Sequence, residues 1–324
     1  MLKDRYGRTI NYMRISVTDR CNLQCRYCMP DVSEHLPMDS LLTYEEIAFV
    51  CAQAVSLGID RFRITGGEPL VRKNCETLVA LLKQIPGARQ VALTTNGVLL
   101  GEYLDRLTEA GLDAVNISLD TLDREQYRTI TGRDELDRVL DSVRRAAGRL
   151  PVKINCVVQK GINEDAPAQL AALARDLPVD VRFIELMPIG AGTELATVPN
   201  TQVLAGIEEQ YGKTAEDREL RGNGPAVYRR PEGFTGRIGF ISAVHGKFCG
   251  TCNRLRLTST GELKPCLCYA ETVPLREILR DGDGQKEERI RAGIREAVAL
   301  KPRAHCFEHR EEITEKRGMA EIGG

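Results

Sequence analysis

The chain has 324 residues, 42% of them hydrophobic and 28% charged, and a formal net charge of −1 at pH 7. This composition is ordinary for a soluble globular protein, and the length allows one large core or a large and a small domain. Near-neutral charge, the absence of an apolar run of membrane-span length and a start without a signal peptide predict a cytoplasmic protein that binds neither nucleic acid nor membrane.

From residue 12 to 187 the chain alternates β-like runs with amphipathic segments. The runs, rich in Val, Ile and Thr, cover residues 12–17, 61–65, 90–95, 114–119, 152–159 and 181–187. Thr43 and Glu46 form a capping box that begins the first helix, and Gly58 ends it. The alternation predicts parallel strands with right-handed crossovers, in an α/β sheet or barrel. Because a closed barrel of this kind has eight units, six would leave it incomplete.

A cysteine triplet, Cys21-x3-Cys25-x2-Cys28, follows the first predicted strand. Cysteines in a cytoplasmic chain are metal or redox ligands more often than disulfides. Three thiolates are one short of a closed tetrahedral site, so a four-iron cluster here would keep one iron open to a substrate or cofactor. The alternatives are scattered reduced thiols or a zinc site with His35 as its fourth ligand, although the spacing is unusual for a zinc finger.

Polar residues follow the ends of the second, third and fourth predicted strands. The sequences are Gly66-Gly67-Glu68-Pro69, Thr94-Thr95-Asn96-Gly97 and Ser118-Leu119-Asp120. Active sites of α/β folds form at this rim. The glycine pair would let the backbone approach a ligand closely, because neither residue has a Cβ atom.

Basic residues are embedded within the predicted strands, where central parallel strands are normally apolar. Arg61 and Arg63 share one strand face, Lys153 and Asn155 share another, and Arg14 lies inside the first strand. Such residues indicate a wet, cationic interior suited to a small, highly charged anion such as a nucleoside triphosphate. The chain has no G-x4-G-K-[ST] loop, so side chains would hold the phosphates.

A second triplet, Cys249-x2-Cys252-x13-Cys266, lies in residues 226–268, which are predicted to form antiparallel strands. Cys268 could act as a fourth ligand and close a zinc site. Arg254 and Arg256 favour another interpretation, because they share a strand face beside the triplet and suit an anionic ligand. A helix is predicted over 286–300, and a polar tail follows.

Through Cys21, Cys25, Tyr27 and Cys28, and through the Gly66-Gly67-Glu68-Pro69 turn, the chain resembles the radical S-adenosylmethionine (SAM) superfamily. This resemblance implies that the open iron of the first cluster binds the amino and carboxylate groups of SAM. It also implies that an electron from the reduced cluster cleaves SAM and yields a 5′-deoxyadenosyl radical.

Within that superfamily the chain is similar over essentially its whole length to the GTP 3′,8-cyclase (MoaA) family of molybdenum cofactor biosynthesis. The matching runs include residues 14–21, 94–97, 116–120, 183–188 and 248–256, and the terminal Gly323-Gly324. The resemblance implies an incomplete (β/α)6 barrel over residues 1–225. It also implies a C-terminal α+β domain over 226–324 that covers the open side.

The family's activity implies two [4Fe–4S] clusters, held by Cys21, Cys25 and Cys28 and by Cys249, Cys252 and Cys266. The SAM-contacting positions match Tyr27, Gly67, Ser118 and Met187. The GTP-contacting positions match Arg14, Arg63, Thr94, Lys153, Arg254, Leu255 and Arg256, and Arg61 and Arg182 would add charge. Arg14, Gly323 and Gly324 match catalytic positions, the two glycines at the tip of a tail that enters the site.

In the implied reaction the adenosyl radical takes the C3′ hydrogen of GTP, the ribose radical adds to C8, and reduction gives (8S)-3′,8-cyclo-7,8-dihydroguanosine 5′-triphosphate. We expect an external electron donor of the flavodoxin or ferredoxin type, a homodimer, and transfer of the product to the next enzyme. Two alternatives remain open: another radical SAM enzyme with an auxiliary cluster, such as a peptide-modifying one, and a non-enzymatic iron–sulfur electron carrier or redox sensor.

Overall fold

The computed structural model describes residues 1–29, 35–219, 222–281 and 284–323, so the predicted catalytic residue Gly324 lies outside the described residues. The strands are β1 (Tyr12–Ser16), β2 (Arg61–Thr65), β3 (Gln90–Thr95), β4 (Ala114–Ser118), β5 (Val152–Val158), β6 (Val179–Glu185), β7 (Ala215–Asp217), β8 (Val227–Arg230), β9 (Ile238–Ile241), β10 (Arg254–Leu257), β11 (Glu262–Lys264) and β12 (Val273–Pro274). The helices are α1 (Tyr44–Ser56), α2 (Cys75–Lys83), α3 (Leu100–Glu109), α4 (Arg124–Thr131), α5 (Leu136–Ala147), α6 (Ala166–Asp176), α7 (Asn200–Tyr211), α8 (Arg276–Arg280), α9 (Lys286–Ala299) and α10 (Met319–Ile322). No helix in the described ranges has the length and apolar character needed to cross a membrane.

All six predicted strands of the first half form, and they pair in parallel in chain order from β1 to β6. The complete sheet has the order β12-β11-β10-β1-β2-β3-β4-β5-β6-β9-β8-β7. The capping box of α1 forms as predicted: Glu46 N donates to Thr43 Oγ1 over 3.1 Å, and Thr43 N donates to Glu46 Oε2 over 2.8 Å. The order is linear within the described chain, so its hydrogen bonds leave the barrel incomplete, as expected.

The C-terminal segment is more closely joined to this sheet than its sequence indicates. The antiparallel pairs β8–β9 and β10–β11 form as predicted. However, β10 also adds to β1, and β9 adds to β6, in both cases in parallel. An unpaired strand edge leaves backbone N–H and C=O groups without partners. By pairing with β1 and β6, the outer strands of the six-stranded unit, β10 and β9 supply those partners on both sides.

Two apolar clusters flank the sheet. The larger cluster packs the outer strand faces against the helices and includes Ile15, Ile64 and Leu255. The smaller one lies beneath the C-terminal tail and contains Ile189, Leu267, Cys268, Cys306, Phe307 and Ile322. Side chains alternate across each strand, so the residues between the outward apolar ones point to the inside of the curved sheet.

Candidate active site

The inside of the curved sheet holds a cavity of about 610 Å³ that brings most of the predicted site residues together. Those that line it are Arg14, Tyr27, Arg63, Gly67, Thr94, Ser118, Lys153, Met187, Arg254 and Arg256, and the six cysteines Cys21, Cys25, Cys28, Cys249, Cys252 and Cys266. Arg182, predicted to add charge, also lines it.

The two cysteine triplets lie at opposite ends of this cavity. β10 pairs in parallel with β1, with Tyr12 opposite Arg254 and Ile15 opposite Leu257. Cys21 follows the end of β1, whereas Cys252 precedes the start of β10. Because a strand rises roughly 3.3 Å per residue, the five residues of β1 separate the two ends by roughly 15 Å.

The Gly66-Gly67 pair packs against the backbone that leads into the first triplet. A Cβ atom on Gly66 would lie 2.6 Å from the Thr18 carbonyl oxygen, and one on Gly67 would lie 2.4 Å from that of Arg20. Gly67 N and Glu68 N donate to the same two carbonyls, each over 2.8 Å. The sequence predicted that the missing Cβ atoms let the backbone approach a ligand. In the structure they let Gly66 and Gly67 pack against the backbone that leads into the first triplet.

Glu68 fixes the neighbouring loop from a fully buried position. Its carboxylate accepts hydrogen bonds from Thr95 Oγ1 at 2.8 Å and Asn96 N at 2.6 Å, and burial raises its pKa to about 7. The side-chain Nδ2 of Asn96 donates to Cys21 Sγ over 3.7 Å, and the backbone N of Leu23 donates to the same sulfur over 3.4 Å. N–H donors aimed at a sulfur stabilise a thiolate, the form that binds metal.

Tyr27 is held across the same end of the cavity by a buried carboxylate. Its hydroxyl donates to Asp120 Oδ2 over 2.8 Å, and Val157 N donates to Asp120 Oδ1 over 2.8 Å. Burial raises the pKa of Asp120 to about 6. His35, the possible zinc ligand, instead pairs with Asp19, at 3.5 Å between Nδ1 and Oδ2.

The thiols of the first triplet fit an iron–sulfur cluster better than a single ion. Burial raises the pKa of Cys21 to about 11 and that of Cys28 to about 12, so positive charge from bound metal would be needed to hold them as thiolates. No three His, Cys, Asp or Glu side chains within the described chain lie close enough together to bind one metal ion. A four-iron cluster sets its cysteines farther apart, because each binds a different iron.

The second triplet receives donors from residues that the sequence did not identify. His305 N donates to Cys249 Sγ over 3.4 Å, and Lys301 Nζ donates to Cys252 Sγ over 3.7 Å. Burial would raise the pKa of Cys252, but the charges of Arg254 and Lys301 outweigh it and lower that pKa to about 6. A lone lysine and a lone histidine in a loop carry no spacing signal, so only the fold identifies them.

Cys268 belongs to the smaller apolar cluster and does not line the cavity. Its side chain is fully buried, and its sulfur lies 3.1 Å from that of Cys306, another reduced cysteine. It is two residues from Cys266 but contacts a different partner. The geometry therefore does not support Cys268 as a fourth ligand of the second triplet.

Three guanidiniums stand side by side on adjacent strands, between the two triplets. Arg14 on β1 is in register with Arg256 on β10 and with Arg63 on β2. Burial and the neighbouring charge of Arg256 lower the pKa of Arg14, and burial and Arg254 lower that of Arg256 to about 10. Buried, mutually repelling cations are stabilised by an anion bound between them.

A second inward row runs along the next strands. Thr94, Asn116 and Lys153 occupy register positions on β3, β4 and β5. Beyond them Arg182 donates to Asn155 Oδ1 from both Nε, at 2.9 Å, and Nη2, at 2.5 Å. Asn116 was not predicted as a site residue, although it lies in one of the matching runs.

Two predicted residues occupy other places. The Leu255 side chain is fully buried in the large apolar cluster, so only its main chain could reach a ligand. The reason is strand alternation, which sends Arg254 and Arg256 inward and Leu255 outward. Arg61 pairs with Asp60 at 3.0 Å and, beside Arg89, lines an adjoining cavity of about 580 Å³ that shares Gln90 with the first cavity.

The C-terminal tail reaches Arg256, one of the three guanidiniums. The Gly323 carbonyl accepts a hydrogen bond from Arg256 Nη1 over 2.7 Å. Gly323 has φ +76°, and a Cβ atom there would lie 2.8 Å from Ser16 Cβ and 3.0 Å from Thr65 Oγ1. Gly323 thus lies in a slot beside the ends of β1 and β2 that only glycine fits without strain.

Comparisons with known proteins agree with this geometry. The family model described as Radical SAM superfamily matches residues 15–174, and the model described as Molybdenum Cofactor Synthesis C matches residues 179–307. A protein named GTP 3′,8-cyclase from Clostridium perfringens (strain 13) is 43% identical over the full length of both chains. One of the same name from Pelotomaculum thermopropionicum is 45% identical, also over both full lengths.

Among solved structures, Streptococcus suis SuiB bound to S-adenosylmethionine superposes with a TM-score of 0.66 at 14% identity. The match covers 96% of this chain and 77% of SuiB, and it shows a shared fold. The full-length identity to the two cyclases goes further, because it spans the barrel, both triplets and the tail. The chain belongs to the GTP 3′,8-cyclase family of the radical SAM superfamily.

Proposed function

We propose that this chain converts GTP to (8S)-3′,8-cyclo-7,8-dihydroguanosine 5′-triphosphate, the first step of molybdenum cofactor biosynthesis. The observation that carries the proposal is one cavity with a three-cysteine site at each end and buried guanidiniums between. Membership of the GTP 3′,8-cyclase family supports it.

The cysteines and the polar rim would hold the cofactors. Cys21, Cys25 and Cys28 would bind one [4Fe–4S] cluster, and Cys249, Cys252 and Cys266 a second. SAM would lie at the first cluster, beside Tyr27, Gly67, Ser118 and Met187, which line that end. When bound, these groups supply the electron and the 5′-deoxyadenosyl radical that takes the C3′ hydrogen of GTP.

The protein's own residues bind and orient the nucleotide. Arg14, Arg63 and Arg256 place positive charge at adjacent strand positions, and Lys153 lies farther around the wall. Guanidiniums bind phosphate oxygens in pairs, so the row would fix the triphosphate in one orientation. Fixing the substrate before radical formation matters, because a primary carbon radical attacks any C–H bond within reach.

The Gly323 carbonyl has a positioning role in this scheme. Its hydrogen bond at 2.7 Å holds the Arg256 guanidinium at one nitrogen and leaves the others for the substrate. Arg14 would contact the nucleotide directly from the centre of the row.

Several finer features are part of the same proposal: a cytoplasmic location, a flavodoxin- or ferredoxin-type electron donor, a homodimer, and transfer of product to the next enzyme of the pathway. We also retain the division into residues 1–225 and 226–324 as a proposal.

The test is anaerobic reconstitution with iron and sulfide, followed by product analysis with SAM, dithionite and GTP. We expect close to eight irons per chain if both triplets hold four-iron clusters. We also expect a cyclised nucleotide that forms from GTP but not from ATP. Reductive SAM cleavage without any nucleotide product would favour another radical SAM activity, and iron without SAM cleavage would favour an electron carrier.

A further inference from the structure

Two polar atoms on neighbouring strands of the cavity wall, β3 and β4, have no hydrogen-bond partner within the described chain. They are Oγ1 of Thr94 and Oδ1 of Asn116, both shielded from solvent. Asn116 is 5% exposed, and both residues line the cavity. A buried polar atom without a partner is destabilising, so wall residues of this kind indicate groups that a ligand satisfies.

These two atoms lie at one level of the barrel wall. Thr94 on β3 is in register with Asn116 on β4, and Asn116 is in register with Lys153 on β5. Ser118, at the SAM end, is two residues farther along β4, which corresponds to roughly 7 Å. Arg63 is in register with Arg14 on β1 and with Ala92 on β3, two residues before Thr94. The pair therefore lies between the end assigned to SAM and the row of arginines assigned to the triphosphate.

We infer that Asn116, with Thr94 beside it, binds the ribose hydroxyls of the nucleotide and makes the site selective for ribonucleotides over 2′-deoxyribonucleotides. This inference rests on the proposed function. An asparagine side chain offers a carbonyl acceptor and an NH2 donor on one planar group, which matches the two hydroxyls of a vicinal diol. Fixing the diol also fixes which C–H bond of the sugar faces the radical.

Asn116 is a positioning and specificity residue in this inference, because the hydrogen that the radical abstracts belongs to the sugar and the Asn116 amide takes no part in the transfer. Losing its hydrogen bonds should lower the reaction of GTP far more than that of 2′-deoxyGTP, which lacks one hydroxyl already. A site that hydrogen-bonds a substrate hydroxyl discriminates against the analogue without it, because its own polar atoms are then left unpaired.

The experiment compares wild-type protein with Asn116→Ala on GTP and on 2′-deoxyGTP, under anaerobic conditions with SAM and dithionite. We expect wild-type protein to prefer GTP in kcat/KM by on the order of 10- to 100-fold. In Asn116→Ala that preference should fall to within about threefold, through loss of GTP activity. The 5′-deoxyadenosine formed per cyclised product should rise, because a loosely held ribose presents its C3′ hydrogen less often.

Asn155→Ala is the matched control, because Asn155 also lines the cavity but its Oδ1 accepts from Arg182. Asn155→Ala should lower kcat/KM for GTP and for 2′-deoxyGTP by the same factor, so the ratio of the two values should not change. Iron content and SAM cleavage without nucleotide check that each variant is folded. If Asn116→Ala loses iron, Asn116→Ser and Thr94→Val carry the same measurement.

An unchanged GTP to 2′-deoxyGTP ratio in an iron-loaded Asn116 variant would overturn the inference. A rise in the KM for SAM with the nucleotide ratio intact would also overturn it, since Asn116 would then serve the SAM ribose. By contrast, a wild-type protein that makes no cyclised nucleotide from GTP would contradict the proposed function itself.

Discussion

Single side chains in this cavity are arranged for a ligand at the expense of the chain's own stability. Arg14, Arg63 and Arg256 stand next to one another, and the pKa of Arg256 falls to about 10 through burial and the charge of Arg254. Desolvated cations that repel one another destabilise the folded protein until an anion neutralises them. GTP should therefore raise the protein's stability as well as occupy its site.

The positions of single cysteines give a prediction about iron binding. We predict that Cys266→Ser loses about half of the reconstituted iron, because its thiol faces the cavity, and that Cys268→Ser loses none. The two positions are only two residues apart, Cys268 buried and Cys266 partly buried, so each variant controls for the other. Iron per chain after anaerobic reconstitution is the measurement. Loss of iron in Cys268→Ser would make Cys268 a ligand of the second site, and zinc present in wild-type protein but lost in this variant would restore the closed-zinc interpretation.

At the scale of elements, the C-terminal tail is a docked segment and not a frayed end. Glu315 pairs with the fully buried Lys264, and its Oε1 also accepts from Arg317 Nε at 3.1 Å. Lys264 Nζ donates in addition to the Tyr269 carbonyl over 2.8 Å. Helix α10 then places Ile322 in the smaller apolar cluster and Gly323 against Arg256. Each of these contacts helps to hold Gly323 beside Arg256.

We predict that Gly323→Ala reduces cyclised product at least tenfold while leaving iron content unchanged. A Cβ atom at φ +76° is strained and would collide with Ser16 and Thr65, so the tip would leave Arg256. Gly318→Ala is the matched control in the same tail, because its φ of −70° suits alanine and its nearest contact is 3.5 Å away. We further expect residues added after Gly324 to abolish turnover; full activity of either altered tip would contradict the role assigned to the tail.

The ion pair that anchors the tail gives a pH prediction. Burial would raise the pKa of Glu315, but its bonds to Arg317 and Lys264 outweigh it and lower the pKa from 4.5 to about 2. A carboxyl whose pKa is lower in the folded state stabilises above the unfolded value and loses that effect as pH falls toward the folded one. We therefore expect Glu315→Gln to lose about 3 kcal/mol of unfolding free energy at pH 7.

The difference between wild-type protein and Glu315→Gln should shrink to about half or less at pH 3, which urea unfolding at both pH values would measure. Glu311→Gln is the control, since the Glu311 side chain is 76% exposed and should change stability by less than about 0.5 kcal/mol. Equal destabilisation by the two variants would show that the buried pair does not anchor the tail.

At the scale of the whole molecule, the two halves of the chain form one sheet. β9 and β10 come from the second half, yet they pair with β6 and β1, the two margins of the first half. The second triplet therefore belongs to the rim of the barrel itself. This arrangement places its cysteines at the far end of the same cavity without a separate hinge between domains.

We predict that residues 1–225 expressed alone are largely insoluble or aggregated. Removal of β9 and β10 exposes the paired edges of β1 and β6, and unpaired strand edges associate with other chains. Size-exclusion chromatography of this fragment, with and without co-expressed residues 226–324, tests the point. A monomeric fragment 1–225 that still binds four irons would show that the barrel is an independent folding unit.

The sequence by itself determined the features that depend on near neighbours or on spacing. Strand-helix alternation, the capping box of Thr43 and Glu46, both cysteine triplets and the charges inside β1 and β2 could all be read from residue types and their spacing along the chain. Together they were enough for the fold class, the family and a cationic site. The resemblance supplied the residues expected to contact SAM and GTP, most of which line one cavity.

Only the tertiary structure decided which distant residues meet. The register of Arg14 with Arg256, the contact of Cys268 with Cys306 and the donation from Lys301 to Cys252 each join segments far apart in the chain. The unpartnered Oδ1 of Asn116 belongs to the same class, because a missing partner is a property of the surroundings and not of the sequence. Such pairings follow from the curvature and closure of the whole sheet, and no local pattern encodes them.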